Sequence, residues 1–344
     1  MKTKTTTYSD ASDITMGSPF IFLALFGVLS LNLAKAEDIF YFPDDTGTTH
    51  VISIEDYDLT NEDITFLKAN LSGVKFILYT RQNPNDGYIL KLDDLPNLQN
   101  PNCTWNASNP TKIITHGWRG SHKSDSCVRV RDAYLTVGNY NVIVIDWENI
   151  ASDILYNKVR ACIPNVALYV AKFINYMQAV ADLNPKNTLM VGHSLGSHLI
   201  SLAANNISDS IADVVGLDPA GPGYTNANPN NRIDKTHADY VQVIHTSSGR
   251  LGLRGNYGTA DFHMNGGNTQ PGCGIWDIIG KCSHARSYLY FSESIENPRG
   301  FRVTPVTCTR SSCPNVYMGG SSLDHNAQGS YILATASEPP FALG

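Results

Sequence analysis

The sequence predicts an α/β fold in which a mainly parallel central sheet is flanked by helices. Short apolar, β-branched runs recur along the chain, and they are nearly continuous rather than alternating, which is typical of strands buried on both faces. Helical stretches lie between these runs, and such strand–helix alternation favours a parallel sheet. The predicted strands are residues 75–80, 112–116, 141–146, 187–192, 213–218 and 240–245.

The clearest helical period follows the third predicted strand. Residues 165–183 carry apolar side chains at i, i+3 and i+4 spacing, with Pro164 before them and Pro185 after them. This pattern predicts a helix that lies between the two prolines, and a further helix is predicted over 197–207. Beyond about residue 292 the periodicity weakens, so the Ser-, Gly- and Pro-rich tail predicts loops and edge strands of the same domain.

The beginning of the chain predicts a signal peptide. Residues 20–34 are apolar and uncharged, and they lead into an A-x-A cleavage pattern that ends at Ala36. A membrane anchor is the alternative, but the run is shorter than the ~20 residues that a spanning helix needs. The polar stretch upstream leaves Met16 as an alternative start. We therefore predict a signal peptide over 1–36 and a single domain over 37–344.

Charge and glycosylation signals agree with an extracellular protein. The formal net charge is −6 and the chain has no Lys/Arg run, which argues against nucleic acid as a partner. Several N-glycosylation sequons fit secretion, although each one alone is a weak signal. Their acceptor residues are Asn70, Asn102, Asn106 and Asn206.

The chain contains seven cysteines, and most of them should pair in an oxidising compartment. Close spacing suggests two disulfides, and a third pairing is less constrained because sequence does not fix connectivity. These pairs are Cys273–Cys282 and Cys308–Cys313, with Cys103–Cys127 as the third. The remaining Cys162 lies in an apolar helical stretch, which predicts a buried free thiol.

The stretch LMVGHSLGSHLI, residues 189–200, has a G-x-S-x-G pattern centred on Ser194. A serine in a Gly-rich turn can simply cap a helix. Here a strand is predicted before the turn and a helix after it, which favours a nucleophile elbow with the serine Oγ exposed at the carboxyl edge of the sheet. Side chains at Gly192 or Gly196 would clash in so sharp a turn.

A nucleophilic serine needs a base and an orienting acid, and in this architecture they follow it in the order acid, then histidine. Asp218 ends a predicted strand, and His284 follows in a loop next to a predicted disulfide. Asp218 could instead only start a turn, and any single histidine is more often structural. Order and context select His284 over the competing residues His116, His198, His245 and His263.

These residues predict acyl transfer from an ester. His284 takes the proton of Ser194 as the hydroxyl attacks the carbonyl, and Asp218 stabilises the imidazolium. The oxyanion needs two donors, for which we predict the N–H groups of Leu195 and Trp118. Trp118 follows a strand in THGW, where a packed aromatic side chain is the alternative interpretation.

Several motifs in series resemble the pancreatic lipase family, over roughly residues 70–295. They are THGW, VIDW, VGHSLGSH, GLDPAGP, VIHTS, DFHMNGGNTQPGC and CSHARS, in the same order. The resemblance implies an α/β-hydrolase fold and hydrolysis of lipid esters at a membrane or emulsion surface. It also implies the same triad and oxyanion donors.

The sequence departs from this family at its C-terminal end and in its lid. Members that act with a colipase-type protein partner carry a C-terminal β-sandwich domain, and we expect neither here. The family lid lies between two cysteines, and the segment between Cys273 and Cys282 is only GIWDIIGK. This short lid resembles the venom phospholipase A1 branch. Trp276, Ile278 and Ile279 would be exposed there and could contact lipid, or could pack onto the domain.

A third departure concerns metal. Several family members bind calcium through a segment that matches RIDKTHADYV, residues 232–241, but the paired acidic positions are Thr236 and His237 here. Because calcium prefers several hard oxygen ligands, Asp234 alone is a weak remnant. We expect no metal and no cofactor.

The leading hypothesis is a secreted, serine-dependent hydrolase of acyl lipids, of lipase or phospholipase A1 type. The alternatives are a lipid-binding or storage protein of the same fold and a hydrolase of small soluble esters. Insect yolk proteins, which resemble this family, have lost the nucleophile, whereas all of the predicted triad residues are present in this chain.

Overall fold

The computed structural model describes residues 39–44, 48–303 and 315–344. The predicted signal peptide and the predicted Cys308–Cys313 disulfide lie outside the described residues. Phe40–Gly344 form one compact unit, which contains every element discussed below except Ile39, the first residue of the first strand. No helix among the described residues combines the length and the apolar character that crossing a bilayer requires.

A nine-stranded sheet runs through this unit, with two small two-stranded sheets beside it. The strands are β1 (Ile39–Pro43), β2 (Thr49–Ser53), β3 (Lys75–Tyr79), β4 (Tyr88–Leu90), β5 (Thr111–Thr115), β6 (Asn141–Asp146), β7 (Thr188–His193), β8 (Asp213–Leu217), β9 (Tyr240–His245), β10 (Ala260–Met264), β11 (Arg302–Val303), β12 (Val316–Tyr317) and β13 (Gly329–Leu333). The order in the large sheet is β13-β10-β9-β8-β7-β5-β6-β3-β4.

The predicted α/β class is confirmed, because neighbouring strands from β13 to β6 are all parallel. Only β3 runs antiparallel to both of its neighbours. In the middle of the sheet, Thr115 pairs with Gly192 and His193 pairs with Leu217. The carboxyl ends of β5, β7 and β8 therefore lie side by side, which is where open α/β sheets place their functional sites.

Helices cover both faces of the sheet. They are α1 (Asn61–Leu71), α2 (Leu95–Leu98), α3 (Asp125–Val137), α4 (Glu148–Ala151), α5 (Tyr156–Ala181), α6 (Leu195–Asn205) and α7 (Lys281–Glu296), with 3₁₀ turns at Pro185–Asn187 and Pro229–Asn231. One hydrophobic core lies on the face that α5 and α6 cover. A second core on the opposite face includes the buried side chains of α3 and α7. This two-sided burial explains the continuous apolar strands of the sequence.

The helix predicted over 165–183 begins earlier than its sequence pattern indicated. It starts at Tyr156 and contains Pro164 in its interior. Proline costs a helix about 3 kcal/mol through its missing N–H and its ring. The turns before it bury Val159 and Ile163 completely, so tertiary packing outweighs this local cost.

The C-terminal tail adds an edge strand to the large sheet, as predicted. β13 pairs in parallel with β10, a strand that the apolar pattern did not reveal. The larger error concerns His284, which was predicted in a loop. It lies in the first turn of α7, a 16-residue helix whose mixed sequence gives only a weak periodic signal.

The described cysteines form one disulfide, Cys273–Cys282, with an S–S distance of 2.03 Å. The third pairing suggested by the sequence is not formed, because Cys103 is a free, half-buried cysteine rather than a partner of Cys127. Cys162 lies buried in α5, where burial raises the pKa of its thiol to about 11. It is the inert, buried free thiol that the sequence predicted.

Candidate active site

Ser194 lies at the sharp turn between β7 and α6, with φ of 57° and ψ of −125°. Positive φ is uncommon for a residue with a side chain, and it marks the strained strand-to-helix turn of a nucleophile elbow. A Cβ at Gly192 would lie 2.2 Å from the carbonyl oxygen of Gly196. A Cβ at Gly196 would lie 2.4 Å from the carbonyl oxygen of His116. Only glycine therefore fits on either side of this turn.

Asp218 follows β8 and is completely buried. Its Oδ1 accepts hydrogen bonds from the N–H groups of Thr246 at 2.8 Å and Ser247 at 2.9 Å. Its Oδ2 lies 2.6 Å from Nδ1 of His284. Because buried carboxylates need such partners to remain ionised, these donors stabilise a negative charge at this point of the sheet edge.

Ser194 and His284 form no hydrogen bond with each other in the described part of the chain. The Ser194 N–H donates to the carbonyl of Leu217 at 3.1 Å, which ties the serine to the residue that precedes Asp218. With Asp218 at Nδ1, the imidazole keeps its acceptor nitrogen at Nε2. Nε2 and the Ser194 Oγ are both buried, and neither has a hydrogen-bond partner among the described residues. Such bonds are commonly long in free enzymes and shorten when substrate binds.

The segment between Cys273 and Cys282, here called the lid, holds the start of α7. The carboxylate of Asp277 accepts the N–H groups of Cys282 and Ser283, both at 2.9 Å. A side chain of the lid thus satisfies helix N–H groups that would otherwise have no partner. The disulfide closes the same segment, so the lid fixes the helical turn that carries His284.

The lid is also joined to the loop that supports Asp218. The Ser247 hydroxyl donates to the carbonyl of Gly280 at 3.2 Å, while the Ser247 N–H donates to Asp218. Arg250 donates from Nη1 to the carbonyl of Asp277 at 2.6 Å. The acid, the imidazole and the lid are therefore connected through a few hydrogen bonds.

The loop after β5 lies directly against the serine. A Cβ at Gly117 would be 2.9 Å from the Cβ of Ser194. The indole of Trp118 is buried, and its Nε1 donates to the carbonyl of Asp153 at 2.9 Å. The backbone N–H groups of Trp118 and Leu195 donate to no other group in the described part of the chain. Both remain available to an oxyanion next to Ser194.

β1 packs over this loop. The Phe42 ring is buried, with its centroid 5.6 Å from the Trp118 ring, 5.4 Å from the Tyr156 ring and 6.2 Å from the imidazole of His284. The short N-terminal strand is therefore part of the wall around the site. Ser194 itself is only 2% exposed.

The competing histidines all have partners elsewhere. Their ring nitrogens contact the Gly117 carbonyl for His116, the Ala220 carbonyl for His198, Asp261 for His245 and Asn256 for His263. The buried pair of His245 and Asp261, 2.9 Å apart, has the chemistry of an acid–base pair. Neither member of this pair forms a hydrogen bond with Ser194 in the described part of the chain.

Two of the three predicted apolar lid residues are strongly exposed. Trp276 is 84% and Ile278 is 71% exposed. Ile279 is half-buried, and the third exposed side chain is Ile275 at 84%. For Ile279 the structure lies between the two alternatives that the sequence left open, because the direction of each side chain in so short a loop depends on its backbone turns rather than on hydrophobicity.

The segment matched to the calcium loop makes internal contacts instead. One oxygen of Asp234 accepts the N–H and the hydroxyl of Thr236, at 3.2 and 2.9 Å, and the other faces Arg232 at 3.1 Å. His237 lies 2.9 Å from the Ser201 hydroxyl. The guanidinium of Arg232 therefore interacts with the Asp234 carboxylate that a bound cation would need.

Sequence reasoning missed several residues that form the site. Asp277 and Phe42 act through contacts with distant parts of the chain, which no local pattern reveals. His193 was only the variable position of the G-x-S-x-G motif. It is 5% exposed, and its ring centroid lies 4.4 Å from that of His284.

The chain is similar in sequence to known lipases and phospholipases. A family model described as Lipase matches residues 41–341. The chain is 34% identical over 289 residues to Phospholipase A1 of Vespa crabro. This alignment covers 78% of this chain and 94% of the relative. It is 33% identical over 252 residues to Pancreatic triacylglycerol lipase of Mus musculus. This alignment covers 66% of this chain and 52% of the relative.

Among solved structures, similarity is more distant. A putative lipase from Acinetobacter baumannii aligns with a TM-score of 0.27 and 22% identity, over 51% of this chain and 52% of that one.

Proposed function

Since the chain belongs to the lipase family and is a lipid ester hydrolase, we propose that it cleaves acyl lipids through Ser194, Asp218 and His284 by an acyl-enzyme. The observation that carries the proposal is the 2.6 Å contact between Asp218 and His284 at the elbow of Ser194. The substrate class that we infer is phospholipid or neutral glyceride, presented at a membrane or emulsion surface.

The first half-reaction forms the acyl-enzyme. The Ser194 Oγ attacks the ester carbonyl carbon while Nε2 of His284 accepts the hydroxyl proton. Asp218 keeps Nδ1 protonated and stabilises the imidazolium, and the charge on Asp218 is held by the Thr246 and Ser247 N–H groups. The C–O bond to the alcohol then breaks, and His284 donates its proton to the leaving oxygen.

The negative oxygen of the tetrahedral intermediate needs donors that are already in position. The N–H groups of Trp118 and Leu195 suit this role, because Leu195 follows Ser194, Trp118 follows the Gly117 that lies against Ser194, and neither N–H donates to another group in the described chain. Loss of one such donor typically lowers kcat about 10²–10³-fold. In the second half-reaction water attacks the acyl carbonyl carbon while His284 accepts its proton, and the bond to the Ser194 Oγ then breaks as His284 returns the proton to that oxygen and the fatty acid leaves.

A lipid-binding or storage protein remains the second candidate from another functional class. A binding protein has no need for a strained serine between two glycines, and that strain costs free energy of folding, on the order of 1–3 kcal/mol. The elbow therefore favours catalysis.

The exposed lid residues support action at a lipid surface. Ile275, Trp276 and Ile278 present adjacent apolar side chains on the segment that precedes His284. We infer that they insert into the lipid boundary, where each buried side chain gains about 1.5–3 kcal/mol.

We infer in addition that the protein is secreted. The apolar run over 20–34 and the Cys273–Cys282 disulfide support this location. Asn102, Asn106 and Asn206 are exposed, as glycosylated residues must be, and Asn70 is half-buried. N-terminal sequencing of protein from the medium of a eukaryotic host should give Glu37 as the first residue. Retention in the cell with Met1 or Met16 intact would contradict secretion.

Substitution of the triad should abolish turnover of every substrate. Ser194→Ala should lower kcat by about 10⁴-fold or more, and Asp218→Asn by about 10⁴-fold, because the asparagine favours the wrong imidazole tautomer. The measurement is turnover of a short-chain soluble ester, a triglyceride emulsion and phosphatidylcholine vesicles.

The matched control is Asp261→Asn, which alters the other buried Asp–His pair. It should keep kcat for the folded fraction, as measured by circular dichroism and activity together. Turnover that is absent in the wild type, or unchanged in Ser194→Ala, would favour the binding protein. Turnover of the soluble ester alone would favour a small-ester hydrolase.

Removal of the exposed lid side chains should lower hydrolysis at a lipid surface without changing the rate of ester cleavage in solution. The triple variant Ile275→Ser, Trp276→Ser and Ile278→Ser should lower vesicle hydrolysis at least about tenfold, because it loses apolar insertion, and should keep soluble-ester turnover. Ile332→Ser is the control, since Ile332 is 65% exposed on the edge strand β13. Equal loss on both substrates would contradict insertion by the lid.

A further inference from the structure

A cavity of about 400 Å³ opens beside the imidazole of His284. Its wall comes from the ends of β1 and β7, the loop over residues 119–124 and the first turns of α3, α4 and α7. We call it the head-group cavity. Most of the residues that line it have charged or polar side chains, so an acyl chain placed there would strip water from ionised groups without replacing it.

Two lysines in the lining have no counter-ion. Lys123 and Lys281 are exposed, and neither forms an ion pair with a described residue. The third cation, Arg119, is held by Asp44 at 3.0 Å. The lining also holds Asp44, Asp125 and Glu148, but Asp44 pairs with Arg119 and Asp125 pairs with Arg129, so the unpaired groups are two lysines and Glu148, an excess of one positive charge. It favours a ligand that carries an anion.

His193 supplies an observation that is independent of the lysines. Its side chain is 5% exposed and lines the cavity, yet neither ring nitrogen has a hydrogen-bond partner among the described residues. Burial, with a smaller effect from His284, holds the pKa of His193 well below its usual range. The neutral ring therefore offers one donor and one acceptor, and a buried polar group without a partner costs about 1–3 kcal/mol. A polar ligand group would remove that cost.

The direction of the reaction identifies which part of the substrate lies here. His284 must protonate the leaving alcohol, so the alcohol leaves on the side of the imidazole. The head-group cavity is lined by that imidazole. In a glycerophospholipid the phosphate is attached to the leaving glycerol, whereas the acyl chain stays on Ser194.

We propose that the head-group cavity binds the phosphodiester of a glycerophospholipid, with Lys123 and Lys281 contacting phosphate oxygens and His193 donating to the glycerol or phosphate oxygens. This proposal rests on the proposed function and assigns it a head-group site. Glu148 lies on the same lining without an ion pair in the described residues, and it suits the positive amine of a zwitterionic head group.

The kinetic test compares two monomeric substrates that differ only in the head group. They are a short-chain phosphatidylcholine below its critical micelle concentration and the matching short-chain diacylglycerol. The double variant Lys123→Ala/Lys281→Ala should lower kcat/KM for the phosphatidylcholine about tenfold or more and leave the diacylglycerol unchanged, because only one substrate has the phosphate.

Two further variants separate charge at the cavity from charge in general. Lys235→Ala removes an exposed lysine that has no ion pair among the described residues and lies outside the cavity lining, and it should change neither rate. Lys123→Arg/Lys281→Arg should keep the preference for phosphatidylcholine. An equal effect of Lys123→Ala/Lys281→Ala on both substrates, or no effect, would overturn the head-group site while leaving ester hydrolysis intact.

A binding measurement tests the site without turnover. Glycerophosphocholine, which has no acyl chain, is titrated into Ser194→Ala by calorimetry, with inorganic phosphate as the second probe. Binding of glycerophosphocholine that disappears when both lysines are also replaced supports the site, even if the wild type hydrolyses neither ester. Absence of that binding, or binding of inorganic phosphate alone, would overturn it.

Discussion

The contact between the buried carboxylate of Asp218 and Nδ1 of His284 is the interaction on which the site depends. It joins the end of β8, in the middle of the sheet, to the first turn of α7, which follows far along the chain. The backbone donors of Thr246 and Ser247 satisfy the other oxygen, so the charge can remain buried. Without this contact, α7 would carry an imidazole with no fixed orientation toward Ser194.

The site also depends on the turn at Ser194, which is formed by residues that are close together in the sequence. β7 delivers Ser194 at a positive φ, and close backbone approaches at Gly192 and Gly196 leave no space for side chains. The loop after β5 then places Gly117 against the serine. Since β5, β7 and β8 are neighbours in register, the sheet alone brings the proposed nucleophile, the proposed acid and the proposed oxyanion donors to one edge.

Much of the central sheet and of the turn at Ser194 could be predicted, because the sequence patterns that indicate them are local. Continuous apolar runs predicted β6 and β9 with the bounds that are observed, and the G-x-S-x-G pattern predicted the sharp turn at Ser194. The helix that carries His284 was missed because its start is stabilised by Asp277, a contact that no period encodes. The early start of α5 was missed because packing outweighs the cost of Pro164, and the exposure of Ile275 rather than Ile279 depends on turns within the lid.

The most direct test of the account is a crystal structure of the protein after reaction with an alkyl phosphonate ester, a serine-directed mimic of the tetrahedral intermediate. We expect phosphorus bonded to the Ser194 Oγ, with its anionic oxygen about 2.7–3.1 Å from the N–H groups of Trp118 and Leu195. Nε2 of His284 should face the leaving-group oxygen. Phosphorus on a different residue, or an oxygen directed away from both N–H groups, would contradict the proposed reaction.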